Sequence, residues 1–88
     1  MTTVVIVTVE IEPRVAAKLR TKHNVLPWEV REAVVMTPVL SSTWDHDPAR
    51  GSRLLVVGVT VTGRRLKVVL APVDLGEGHW LLRTAWPS

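Results

Sequence analysis

Between Ala49 and Val73 the chain carries five cations, Arg50, Arg53, Arg64, Arg65 and Lys67, and no acid. His79 and Arg83 follow in the last segment, and Arg14, Lys18 and Lys22 recur at four-residue spacing near the start. Such a set suits a phosphate-bearing polymer. Arg can grip a phosphate with two parallel N–H donors, and Lys supplies a compact point charge. Cations beside a phosphodiester stabilise the negative charge that builds in its transition state. A histidine titrating near neutral pH can carry the proton that cleavage requires. Arg64, Arg65, Lys67 and Arg83 are therefore candidates to hold phosphate, with His79 as the proton carrier. Arg65, Lys67, Arg83 and His79 form the candidate catalytic set. Arg14, Lys18, Lys22, Arg50, Arg53 and Arg64 extend a basic surface for nucleic acid. The competing reading is solubility, because outward strand positions need polar residues whatever the function.

Other chemistries find less support. His23 reads as a helix-closing residue, and His46, between Asp45 and Asp47, as part of a solvated turn. No Gly-rich phosphate loop, Ser/His/Asp pattern, paired carboxylates or dinucleotide fingerprint is present, so no metal or cofactor site is expected. The absence of Cys excludes disulfides and thiolate metal sites. Four Trp are the only aromatic residues. Trp28 and Trp80 are expected in the core, and Trp86 is open between core packing and stacking on a base.

These side chains need a scaffold. Leu54 to Val61 and Arg64 to Val73 read as two strands joined by a tight turn at Thr62-Gly63, a strong hairpin signal. A two-residue loop would pair Val61 with Arg64, Val59 with Leu66 and Val57 with Val68. Val57, Val59, Val61, Leu66, Val68 and Leu70 would then face the core, with Gly58, Thr60, Arg65 and Lys67 on the open side. In the last strand, His79 to about Trp86, the bulky Trp80 and Trp86 are expected inward with Leu82 and Thr84. That places Arg83 and His79 beside Arg65 and Lys67. A single bulge would reverse this assignment.

Upstream, Thr2 to Ile11 is rich in β-branched residues and reads as a strand. Pro13 opens a helix with Val15, Ala16 and Leu19 on its inner face, and Asn24 can take the left-handed position that closes it. Pro27 opens a second helix to about Met36, with Val30, Ala33 and Val34 inward, and Pro38 stops it. Val39 to Trp44 is a short strand, and Asp45 to Gly51 a polar turn. The class is α+β: an N-terminal strand, two helices, then a three- to four-stranded mostly antiparallel sheet with the helices on one face.

At 88 residues the chain makes one domain, 1–88. A hydrophobic fraction of 47% argues against disorder. The start lacks a signal-peptide pattern, and no run approaches the length of a membrane span, so a soluble cytoplasmic protein is expected.

Three motifs carry a resemblance. Lys18-Leu-Arg-Thr-Lys-His-Asn-Val25 with Glu29-Val-Arg-Glu-Ala33, then Gly58-Val-Thr-Val-Thr-Gly-Arg64 with Leu66-Lys-Val-Val69, then Trp80-Leu-Leu-Arg-Thr-Ala85 occur in one order over roughly residues 13–86. This set resembles the BrnT-like toxins of the RelE/ParE superfamily. The resemblance implies a RelE-like fold, RNA binding, metal-independent ribonuclease activity without a cofactor, and neutralisation by a small antitoxin. The chain departs from the family pattern at Asn24, where Gly is usual, at Val59, where Arg is usual, and at Trp86, where a terminal Arg is usual. The lost cations leave open a degenerate, catalytically inactive relative that serves as a protein-interaction module and self-associates, or a protein that binds nucleic acid without turnover.

Overall fold

In a computed structural model describing residues 4–88, the chain is α+β. The order is β1 (Thr8–Glu10), α1 (Pro13–Lys18), α2 (Pro27–Val34), β2 (Ser41–Asp47), β3 (Gly51–Val59), β4 (Arg65–Asp74) and β5 (His79–Pro87). The strands form one mixed sheet in the spatial order β1-β5-β4-β3-β2. The sheet therefore has five strands, not three or four, because the chain before the helices returns to pair in parallel with β5. β1 is shorter than the segment read as a strand, and Thr2 and Thr3 lie outside the described residues. β2 reaches three residues further than expected, into the segment read as a polar turn.

Both helices begin at proline, where the missing N–H would have had no intrahelical partner. α1 runs on into a π-helical segment, Leu19–His23, closed by Asn24 at φ 53°. The Asn24 N–H returns to the Leu19 carbonyl, and the short polar side chain tolerates the left-handed backbone. At α2 the Leu26 N–H donates to Glu29 Oε1 at 3.1 Å, so a carboxylate serves the helix start where Leu26 offers no side-chain cap. α2 ends at Val34, two residues before the expected stop.

The β3–β4 turn contains three residues, Val61, Thr62 and Gly63, rather than two. Thr60 N–H donates to the Arg64 carbonyl at 2.8 Å, and Gly63 N–H to the Thr60 carbonyl at 2.9 Å. Gly63 sits at φ +89°, a conformation open to glycine and costly for most residues. The added residue pairs Val59 with Arg65, Val57 with Lys67 and Val56 with Val68. Every β3 side chain is thereby turned to the face opposite the expected one, since side chains alternate with a period of two. Val56 is buried with Leu54, Leu66, Val68 and Leu70, while Val57 and Val59 join the open side.

Gly58 explains why this register holds. A Cβ at Gly58 would lie 2.2 Å from the Ala33 carbonyl oxygen, so the missing side chain lets α2 rest directly on β3. Val30, Ala33 and Val34 fill the space beside it, as their spacing predicted. Leu19, Trp80, Leu82 and Ala85 complete the core. Each fully buried Leu or Val contributes about 1.5–3 kcal/mol over exposure. Trp80 is 1% exposed and donates its indole N–H to the Val5 carbonyl at 3.0 Å. Trp28, expected in the core, is 54% exposed because the inner stripe of α2 lies on its other side. Among the described residues, no helix is long and apolar enough to cross a membrane.

Candidate nucleic-acid interface

The bulge anticipated as the exception occurs in β5. Leu70 pairs with Leu82, but Val69 pairs with Thr84, which leaves Arg83 as the extra residue. Beyond it the faces exchange: Ala85 is buried, and Trp86, paired with Lys67, turns to the uncovered face. Arg83 lines a cavity between β5 and the first helix, along with Arg14, Lys18, Lys22 and His23. Its volume is about 360 Å³. Leu19 and Leu82 line its apolar base, and Glu12 is the one acid on its wall. Among the described residues, none of Arg14, Lys18, Lys22 and Arg83 forms an ion pair. Four exposed cations around one recess concentrate positive potential and suit a phosphate.

The expected convergence of Arg65, Lys67, Arg83 and His79 is not found. Arg65 and Lys67 lie on the uncovered face of the sheet, as read from the sequence. Lys67 Nζ stands 5.8 Å from the centre of the Trp86 ring, a cation–π contact. Arg83 is on the helix side because of the bulge. His79 pairs with Asp74 at the opposite end of β4 from Lys67. Those seven residues of strand amount to roughly 23 Å. There His79 Nε2 lies 3.7 Å from Glu10 Oε1.

Arg64 is not free to bind phosphate either. Its guanidinium donates to both Glu29 carboxylate oxygens, at 3.0 and 3.1 Å, and to the Asn24 carbonyl at 2.8 Å. It ties the β3–β4 turn to the junction between the helices. Arg53 is paired with Asp45 across β2 and β3 at 2.5 Å. Arg50 lies in the β2–β3 turn. Its N–H and that of Ala49 donate to Asp47 Oδ1, and these two hydrogen bonds hold the Asp47 carboxyl below its ordinary range, with smaller help from the Arg50 and Arg53 charges.

The groove therefore joins three residues assigned to nucleic-acid binding, Arg14, Lys18 and Lys22, with one assigned to catalysis, Arg83. It also contains His23, which the sequence reading gave a structural place. Of the three histidines, His23 alone lines this groove. Its position directly after Lys22, at the end of the cationic helix, was the available signal. His46 instead shares a 2.7 Å hydrogen bond between Nδ1 and Ser52 Oγ, and its ring stacks on Trp44. Among the described residues, no group of three His, Asp or Glu is placed to hold a metal ion. A scan of protein-family models gives no match to this chain, and searches of curated proteins and of solved structures also return none.

Proposed function

We propose that this protein binds RNA through the groove between its first helix and β5, as a BrnT-like relative with a RelE-like arrangement of helices and sheet. One observation carries the reading: Arg14, Lys18, Lys22 and Arg83 surround a single cavity with one opposing acid, Glu12. Arg14 and Arg83 offer paired donors to phosphate oxygens, and Lys18 and Lys22 add point charge. His23 lines the same cavity and adds an imidazole that can hydrogen-bond to the bound strand. The proposal rests on binding; the ribbon cations and His79 do not share a site that would support strand cleavage. An acidic antitoxin-type partner would cover the same groove.

Binding of a single-stranded RNA oligonucleotide, measured over a salt series, tests this. Four phosphate contacts give a slope of log affinity on log salt of about −3. The variant Arg14→Ala/Lys18→Ala/Arg83→Ala should lower the magnitude of that slope by about 2 and weaken binding at low salt. The pair Arg65→Ala/Lys67→Ala should bind like the wild type. Equal binding by the triple variant, or loss confined to the Arg65/Lys67 pair, would overturn the assignment. The partner-binding alternative is favoured by a separate observation, the apolar face of the sheet that no helix covers.

A further inference from the structure

The two edges of the sheet differ. β1 is three residues long, and its Val9 carbonyl accepts from the Arg31 guanidinium at 3.2 Å. β2 is seven residues long, and among the described residues no backbone group hydrogen-bonds to its outer side. Edge strands are commonly blunted by Pro, Lys or a bulge, and β2 has none of these. The alternation of an antiparallel ladder shows which of its groups face outward. Thr60 and Arg64 form a hydrogen-bonded pair at the β3–β4 turn, so Gly58, Val56 and Leu54 direct their backbone groups to β4. Val57, Leu55 and Arg53 then turn theirs to Ser41, Thr43 and Asp45. The N–H and C=O groups of Ser42, Trp44 and His46 are left pointing away from the sheet. The side chains of these three residues lie on the helix-covered side, since Ser42 pairs with buried Val56 and Trp44 with buried Leu54. A second cavity, of about 480 Å³, opens beside Ser42. Val5, Ile6, Val34, Met36 and Val39 line it, and of these Val5 and Met36 are exposed.

We infer that β2 accepts an extended segment of another protein as a sixth strand, with an aliphatic side chain of that segment seated in the cavity beside Ser42. The edge itself specifies the occupant. Outward N–H and C=O groups at every second residue match the backbone of a strand; a helix keeps its own groups paired and cannot answer them. The cavity sets a side-chain preference at one position, and exposed Trp44 adds an apolar contact two residues further along the same side. On the other side Asp45 and Asp47 disfavour an acidic neighbour, because like charges directly opposite destabilise a strand pair. A second copy of β2 fits poorly. Its residues are Ser, Ser, Thr, Trp, Asp, His and Asp, none of them aliphatic. Its one large apolar group, Trp44, is already packed on Trp80, with ring centres 5.8 Å apart, and on His46 at 6.1 Å. β3 and β4 separate this edge from β5, so it is distinct from the RNA groove.

A peptide built to this description tests it on the intact chain: Lys-Thr-Lys-Val-Thr-Ile-Thr, blocked at both ends. In an antiparallel pairing its Ile falls opposite Ser42, its Val opposite Trp44, and its two Lys opposite Asp45 and Asp47. Amide hydrogen exchange read by NMR should show Ser42, Trp44 and His46 exchanging fast in the free protein and slowed several-fold at about 1 mM peptide. Thr43 and Asp45, already bonded to β3, should not change. A peptide N-methylated at Val loses the donor to the Trp44 carbonyl and should give no protection. Replacing the peptide Ile by Ala should weaken binding by about tenfold, as loss of a buried aliphatic group predicts. Unchanged exchange at the three amides, or equal protection by the N-methylated peptide, would overturn the inference. Protection in the free protein that grows with its concentration would also overturn it, by giving the edge to a second copy.

Discussion

The cations of the β3–β4 hairpin and those of the helix–β5 groove differ in what surrounds them. Arg64 is enclosed by Glu29 and the carbonyls of the helix junction, and Arg53 is matched by Asp45. In the groove, Arg14, Lys18, Lys22 and Arg83 gather around one acid. The stretch from Arg50 to Lys67 is the more basic in sequence, yet two of its five cations, Arg53 and Arg64, are tied to carboxylates. The groove cations come from distant parts of the chain and are left facing space. Local density of charge is thus a poor guide to free charge; the deciding quantity is how many carboxylates and carbonyls the fold brings to each cation.

The largest test of this contrast acts on the register that sorts the cations. Gly58→Ala puts a methyl group 2.2 Å from the Ala33 carbonyl oxygen, and neither backbone can yield without parting α2 from β3. A loss of about 3 kcal/mol in urea unfolding is expected, as for severe overpacking. A loss below about 0.5 kcal/mol would show that the register does not depend on this contact.

Arg64→Ala comes next. It strands the Glu29 carboxylate, whose residue is 8% exposed, and removes the tie to Asn24. Because Arg64 itself is part-exposed, about 2 kcal/mol is expected rather than the full loss seen for a deeply buried pair. RNA affinity of the folded variant should stay at the wild-type value. A variant as stable as the wild type but defective in RNA binding would erase the contrast and return Arg64 to the phosphate site.

The smallest effect is at Asp47. Its carboxyl is held below the ordinary value of 3.8 by the N–H groups of Ala49 and Arg50. A lowered folded-state value means that the charged form stabilises the native state. The contribution is complete above 3.8 and fades as pH falls through the lowered value. Asp47→Asn should therefore unfold at a slightly lower urea concentration than the wild type at neutral pH, and the gap should narrow as pH falls below the ordinary carboxylate value of 3.8. A gap that widens in acid would reverse the sign argued here.

Much of the fold was legible in the chain. Pro13 and Pro27 mark both helix starts, Asn24 marks the end of the first, and the Val30, Ala33 and Val34 stripe faces inward as read. Arg65 and Lys67 lie on the uncovered side. The register of β3 was not legible, because a glycine at Gly63 serves a two-residue or a three-residue turn equally well. What selects the longer turn is the close approach of α2 to Gly58, a contact across 25 residues of chain. The β5 bulge was hidden for a related reason. Leu82 and Ala85 both belong inside, but their spacing of three breaks the strand alternation, and only packing against the helix side settles which residue is extruded. That residue, Arg83, is the one that completes the groove.

The parallel pairing of β1 with β5 has a consequence for how the protein comes into being. Thr8 meets His79, and the Trp80 indole reaches back to Val5. Nearly the entire polypeptide lies between these partners, so their meeting closes the longest loop in the molecule, at an entropic cost of several kcal/mol, about 4 by the usual logarithmic scaling. On the ribosome, β1 must wait unpaired until β5 has emerged.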